Sequence, residues 1–377
     1  MSEKILKADS LKSEIAAIVG TRPGIVMFAP IIHALRKQGV AHFVVHTGQH
    51  YSPNMDLQFF RDLDLPPPDY RLDGVAERVT HGGQTAAMLD GVERVLMQRR
   101  PRIVLVGGDA NTNLAGALAA RKLGIRVGHV EAGERSYDWR MPEEHNRRII
   151  DHISEYLFVS SPKGRRHLEK EAVQGKILET GNPIVDASHQ HLAIALRHRD
   201  KTSTDFSPYA VMTTHREENV DYPEKLRGML TGAQRVAAEF GLRVLFLAHP
   251  RTQKRLREYG LDQWVRSLEG IELRDGAGYL EFLGLLAGAR LVLTDSGGVQ
   301  QEACIHRIPC VTLRENTEWV ETVEIGANRL AGTDPEKIST SAGQALRAKV
   351  NWQIPFGDGH AAEYIVKFLA SEVNRGE

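Results

Sequence analysis

RIVLVGGDANTNLAGALAARKLGIRVGHVE, residues 102–131, holds two short β-branched runs on either side of a stretch with helical spacing. RIVLVGG (102–108) and IRVGHVE (125–131) read as buried strands, and residues 111–123 between them read as a helix. A strand, a helix and a strand in about thirty residues make one βαβ unit, and such units build a parallel sheet. The same alternation extends both ways, with strands in EIAAIVG (14–20), HFVVHTG (42–48) and YLFVSS (156–161) and helical stretches at 23–38 and 84–99. After KILETGNPIVDA (176–187) and the polar run RHRDKTSTDFSP (197–208) it restarts in AVMTTH (210–215), RVLFLAH (243–249), RLVLTDSGG (290–298) and IPCVTL (308–313).

The expected fold class is therefore α/β, with two Rossmann-like domains facing each other across a deep interdomain cleft. Gly181, Asn182 and Pro183 interrupt two regular patterns and mark the boundary. The first domain is expected over 1–182 and the second over 183–354, and residues 355–377 carry a last amphipathic helix that could pack on either.

With 377 residues and 42% hydrophobic content the chain can bury a large core, and it is long enough to split into two. Lys+Arg and Asp+Glu number 48 each, so no net field favours nucleic acid or an anionic membrane, and any anion site must be local. The two cysteines, Cys304 and Cys310, have neither disulfide-framework nor metal-ligand spacing and read as reduced structural thiols. The charged start MSEKILKADSLKSE has no signal-peptide core, and no apolar run reaches the length of a membrane span. These features predict a soluble, cytoplasmic protein.

In open α/β sheets ligands collect at the carboxyl ends of strands. That is where the chain puts Arg22, Gln49, His50, Asp109, Glu131, His215, His249, Ser296 and Gly297. GTRPG (20–24) ends a strand and starts a helix, so amides and Arg22 suit a phosphate or carboxylate; an ordinary turn with an exposed arginine is an equal reading. In TDSGGVQQEA (294–303), Ser296, Gly297 and Gly298 open a helix whose amides and dipole favour a diphosphate, and Glu302 one turn on could accept ribose hydroxyls. Asp109 either caps the next helix or works as a carboxylate. Glu143 and Arg147 stand four apart, the spacing of an exposed ion pair. His215 ends a strand before a charged turn, a place that suits a functional imidazole. HExxH, paired CxxC, GxGxxG and a P-loop are all missing, which points to no metal and no tightly held NAD.

GTRPG, TGQH (47–50), GD (108–109), HVEAG (129–133), RMPEEHNR (140–147), TGNPIVDA (180–187), THREEN (214–219), TDSGGVQQEA, RENTEW (314–319) and PFGDG (355–359) stand in one order along the chain. In that order the sequence resembles the non-hydrolysing UDP-N-acetylglucosamine 2-epimerases over essentially its whole length. The resemblance implies a glycosyltransferase-B-like architecture, a C-terminal helix that crosses back to the first domain, and nucleotide binding mainly by the second. It implies reversible epimerisation at C2 of UDP-N-acetylglucosamine by elimination of UDP to 2-acetamidoglucal and re-addition, without cofactor or metal, in a homodimer. It assigns Asp109, Glu131 and Glu143 to proton transfer and His215 to the leaving diphosphate. It gives Arg22, Ser296, Gly297, Gly298 and Glu302 to the nucleotide, Phe282 to the uracil, and Arg135 and Arg147 to the sugar and phosphate side. The remaining charges of 129–148, Glu134, Asp138, Glu144 and Arg148, are left to solvent.

Three departures from the family pattern stand out. The usual GTRPEAIKMAP is GTRPGIVMFAP, so Met27 replaces a lysine and Gly24 an acidic residue. TERPE is TEWVE, with Trp319 for arginine, a form shared with the branch acting on UDP-2,3-diacetamido-2,3-dideoxyglucuronic acid. TGQHYSPNMD lacks a second glutamine, leaving Gln49 and His50 as a remnant of the bacterial effector site. These differences keep two alternatives open, the diacetamido-uronate 2-epimerase and a non-catalytic UDP-sugar-binding relative.

Overall fold

A computed structural model describes residues 14–49, 59–198 and 207–374. The chain divides into two compact units, Met1–Ala187 with Phe356–Glu377, and Ser188–Pro355. The division falls inside the helix Pro183–His198 and not at the turn before it. The first turn of that helix is tied to the first unit by Asp186, whose buried carboxylate accepts from the amides of Ala361 (3.2 Å) and Ala362 (3.0 Å). Those amides start the helix Ala361–Asn374, so one carboxylate caps the C-terminal helix from within.

The first unit is a seven-stranded parallel sheet built from β1 (Ile15–Val19), β2 (His42–His46), β3 (Tyr70–Arg71), β4 (Ile103–Gly107), β5 (Arg126–Ala132), β6 (Tyr156–Val159) and β7 (Lys176–Glu179). Its order is β3-β2-β1-β4-β5-β6-β7. β1 and β4 are buried throughout, as continuous apolar runs covered by helices on both faces must be. Sequence order reverses between β1 and β4, the crevice where doubly wound sheets hold ligands. Facing it are the turn into the helix Arg22–Lys37 and the turn from Gly107 into the helix Asn111–Lys122.

The second unit repeats the design with β8 (Tyr209–Thr213), β9 (Arg243–Ala248), β10 (Ile271–Asp275), β11 (Leu291–Thr294), β12 (Cys310–Thr312) and β13 (Asn328–Leu330). All pairs are parallel, in the order β10-β9-β8-β11-β12-β13. Here the reversal lies between β8 and β11, so Thr214–His215 and Asp295–Ser296 leave the sheet side by side. Cys304 and Cys310 are buried free thiols, pushed up to about 12 by burial. Among the described residues no helix is long and apolar enough to cross a membrane.

Candidate functional site

In the first unit the carboxyl ends of β4 and β5 meet over a bulge. The register of β5 against β6 shifts between Val130 and Ala132, and Glu131 at that point has φ +66°. A bulge with a left-handed glutamate is strained backbone, and it turns the side chain out of the strand alternation. Burial first, and then the neighbouring Asp109 charge, lift the Glu131 carboxyl to about 7, against the Asn182 amide, Arg147 and His129. The Asn182 Nδ2–H donates to Glu131 Oε1 at 2.7 Å.

Asp109 does not cap the following helix: the capping position is Ala110, with no side-chain bond. Its carboxylate accepts from Arg147 Nη2, and its carbonyl accepts from Asn146 Nδ2 (2.9 Å). The turn before it is clamped by Asn113, which donates to the Gly107 carbonyl (2.5 Å) and accepts from the Gly107 amide (3.2 Å). The capping alternative for Asp109 is thereby removed, and the carboxylate is presented next to Glu131.

The helix Pro142–Ile153 decides how the charges are used. The pair read from spacing, Glu143 with Arg147, does not form. Arg147 is buried and turns to Asp109 and to Glu144 Oε2 (3.2 Å). Glu143 is half-buried and keeps no ion pair among the described residues. Glu144, expected in water, is fully buried and also accepts from the Ser136 amide (2.9 Å) and hydroxyl (3.0 Å) and from Arg148 Nε (3.0 Å). Glu134 is likewise buried. Arg135, expected to line the substrate, is a structural cation: its side chain is wholly buried and bonded to Asp151 (2.7 Å) and Glu171 (2.7 and 3.0 Å).

These pairs join into a ring of charges. Glu171 also pairs with Arg148 (3.0 Å). His129 donates from Nδ1 to Asp151 Oδ1 (2.7 Å) and from Nε2 to the carbonyl of Gly108 (3.1 Å), the residue before Asp109. Burial would raise the Asp151 carboxyl, but His129 and Arg135 outweigh it and hold it below the usual range. The sequence does carry a signal for this. Glu144, Arg147, Arg148 and Asp151 share one face at helical spacing, while Ile149 between them is exposed, the reverse of an ordinary amphipathic helix.

Thr21 caps the helix Arg22–Lys37, accepting from the Gly24 amide, and leaves Arg22 exposed. Met27, in the place of a lysine, is buried; a Cβ built on Gly107 would lie 3.0 Å from its sulfur. Gln49 spends its carbonyl on capping the helix Asn111–Lys122, accepting from Thr112 N (2.8 Å) and Oγ1 (2.8 Å). His50, the other residue of the expected effector remnant, lies outside the described residues.

In the second unit the organising residue is Asp295, which sequence reasoning passed over in favour of the SGG after it. It is fully buried and accepts from the Thr214 hydroxyl (2.5 Å), the amides of His215 (3.0 Å) and Arg216 (3.1 Å), and Asn219 Nδ2 (3.2 Å). His215 Nδ1 is 3.4 Å from Oδ1, the oxygen that accepts the His215 amide. Burial opposes ionisation, but these donors outweigh it and pull the carboxyl down to about 2. His215 is thus held half-buried at the end of β8, 5.5 Å from the ring of His249.

Ser296 precedes the helix Gly297–Ile305 without a side-chain cap. A Cβ on Gly297 would sit 2.3 Å from Glu318 Oε1, so a larger residue there must displace that carboxylate, and Gly298 has open space around its Cα. Bare amides at such a helix start receive anions. Glu302, one turn in, is 7% exposed, and burial raises its carboxyl to about 8. Phe282 is half-buried against Tyr209, Val211, Leu245 and Leu247.

Two parallel Rossmann-like sheets, each with polar residues at its switch point, place the chain among α/β proteins of glycosyltransferase-B-like fold. The sequence matches the family profile of UDP-N-acetylglucosamine 2-epimerase over residues 33–370. It is 46% identical over 362 residues to the UDP-N-acetylglucosamine 2-epimerase of Methanocaldococcus jannaschii, covering 94% of this chain and 98% of that one. A crystal structure of a Methanocaldococcus jannaschii UDP-GlcNAc 2-epimerase in complex with UDP-GlcNAc and UDP matches with a TM-score of 0.88 at 46% identity, covering 95% and 99% of the two chains. The UDP-2,3-diacetamido-2,3-dideoxy-D-glucuronate 2-epimerase of Pseudomonas aeruginosa is 38% identical, with 95% and 99% covered. The chain belongs to the UDP-N-acetylglucosamine 2-epimerase family and is an epimerase.

Proposed function

We propose that this epimerase interconverts UDP-N-acetylglucosamine and UDP-N-acetylmannosamine by eliminating UDP and adding it back. The C2 proton is not next to a carbonyl, so direct deprotonation is closed at neutral pH. Elimination opens another route: a carboxylate takes the C2 proton as the C1–O bond breaks, and the bonding pair leaves with UDP. In the return step a UDP oxygen rebonds to C1 of 2-acetamidoglucal, and a proton reaches C2 from the other face.

The observation that carries this reading is Glu131, a half-buried carboxyl near 7 beside the Arg147-bound Asp109. A group titrating near neutrality can both take and give a proton. Asp109, Glu131 and Glu143 are the proton-transfer carboxyls, with Arg147 paired to Asp109. His215, fixed by Asp295, serves the departing diphosphate with the amides of Gly297 and Gly298 and the hydroxyl of Ser296, whose own amide is spent on the Thr294 hydroxyl (3.0 Å). Glu302 takes the ribose hydroxyls, Phe282 the uracil and Arg22 an anionic group of the substrate.

The purified chain is incubated with UDP-N-acetylglucosamine in deuterated water. UDP-N-acetylmannosamine carrying deuterium at C2 is expected, and absence of both product and exchange defeats the proposal. A second reading keeps the chemistry and changes the sugar to a diacetamido uronic acid, favoured by the Pseudomonas aeruginosa relative and by Met27. It requires a higher kcat/KM for that substrate than for UDP-N-acetylglucosamine. A cytoplasmic homodimer goes with either reading, checked by light scattering for mass and by cell fractionation for location.

A further inference from the structure

Asn182 has no part in the chemistry just proposed, yet it is fully buried and every polar group it owns points somewhere specific. Its Oδ1 accepts from the Ile184 amide at 3.0 Å. That bond fixes the orientation of the side-chain amide, because a flipped group would set an N–H against an N–H. Nδ2 therefore faces Glu131 Oε1 at 2.7 Å as a donor. Its backbone N–H donates to the carbonyl of Phe356 at 2.7 Å. Next to that bond Gly181 (φ +81°) and Gly357 (φ +106°) press together; a Cβ on Gly357 would lie 2.8 Å from the Gly181 Cα. Ala187 and Phe356 are the last and first residues of this unit at the chain's exit and return, so both crossings run past Asn182.

We propose that Asn182 is a positioning residue for Glu131: its amide N–H holds the carboxylate on the β5 bulge and ties it to the Phe356–Gly357 turn. This rests on the epimerase reading and deepens it. An N–H donor favours the charged carboxylate, and it works against burial and the Asp109 charge, alongside Arg147 and His129. Removing it shifts Glu131 toward its protonated form.

Asn182→Asp is the decisive variant, since it keeps the shape and the bond to Ile184 while replacing the donor by an acceptor. The limb of the kcat/KM profile near neutral pH is expected to move up by about one unit or more, with KM little changed. A fall in kcat with that limb unmoved would mean a purely structural role and would overturn the proposal. Should Asn182→Asp not fold, Gly357→Ala crowds the same contact while leaving Asn182 in place, and it must move the same limb upward. An unmoved limb there overturns the proposal as well. Infrared titration of the Glu131 carboxyl, identified by its absence in Glu131→Gln, reads the shift without turnover. An inactive wild type with a shifted carboxyl would defeat the epimerase reading alone, and an active wild type with an unshifted one would defeat the role of Asn182 alone.

Discussion

Glu131, half-buried, and Glu302, buried, both titrate well above an ordinary carboxyl, near 7 and near 8, but they differ in company. Glu131 sits among a second carboxylate, an amide donor, an arginine and a histidine. Glu302 is raised by burial alone. Opposed contributions leave Glu131 poised where small changes alter its charge, as a proton-transfer group requires. Glu302, which makes no ion pair or side-chain hydrogen bond among the described residues, is left instead with hydrogen-bonding capacity that a ligand can satisfy. The two units share one fold, so this difference lies in what surrounds each carboxyl and not in the scaffold.

The hardest test of the contrast is to neutralise each glutamate in turn. Glu131→Gln keeps the shape and the reach to Asn182 while removing proton transfer, and kcat is expected to fall by about 10²–10⁴. Calorimetry should find UDP bound as before. A variant that loses UDP affinity instead would place Glu131 with the ligand contacts and collapse the comparison.

Asp295 is the second unit's answer to the charge ring, a single carboxylate that gathers its donors without a buried arginine. Asp295→Ala strands those donors and should cost about 3–5 kcal/mol in denaturant unfolding, with turnover reduced about 10- to 100-fold as His215 loosens. The native carboxyl is depressed to about 2 against about 3.9 in an unfolded chain. Its stabilisation is therefore complete above about pH 4 and is lost as pH falls toward about 2. Acid unfolding of the wild type should contain this step, and Asp295→Ala should lack it.

How far the site could be read from sequence follows from the same contrast. Strand ends punctuated by glycine and proline, as in GTRPG and TDSGG, announce both switch points, because turn chemistry is local. Whether Asp109 caps a helix or pairs with an arginine is not local: it depended on Arg147 of another helix. The charges of 129–148 looked solvated because carboxylates and guanidiniums usually are. Only the fold shows Glu144 neutralised in the interior by Arg147 and Arg148, and Arg135 by Asp151. Asp295 was passed over and Asn182 read only as a turn residue for a related reason, since each acts on a residue distant in sequence.

Glu302→Gln probes the lonelier carboxyl, with a smaller effect. UDP affinity should fall about tenfold at high pH, through the loss of a charged acceptor for ribose hydroxyls. In the wild type, affinity should rise as pH passes about 8, where the carboxyl ionises, and this rise should vanish in the variant. Stability carries the opposite sign. A carboxyl raised in the native state binds protons that the unfolded chain has already released, so the wild type loses stability from about pH 4.5 to about pH 8. The melting temperature of Glu302→Gln, relative to wild type, should climb across that window. A constant difference would mean that Glu302 is not alone.

Met27→Lys gives the gentlest push on the crowded carboxyl and reverses the sequence departure closest to it. A Cβ built on Gly108 would lie 3.3 Å from Glu131 Oε2 and 3.9 Å from the Met27 methyl carbon, so the two side chains flank one glycine. A lysine there loses hydration, since Met27 is 7% exposed, and the variant should be less stable by roughly 1–3 kcal/mol. Its ammonium also adds a cation beside Glu131 and favours that carboxylate. The limb of kcat/KM near neutral pH should then move down by up to about one unit, opposite to Asn182→Asp, while kcat at the optimum changes only a few-fold. If the limb stays in place, the charges around Glu131 do not set its ionisation. Burial would then govern both glutamates, and their different surroundings would have no consequence for titration.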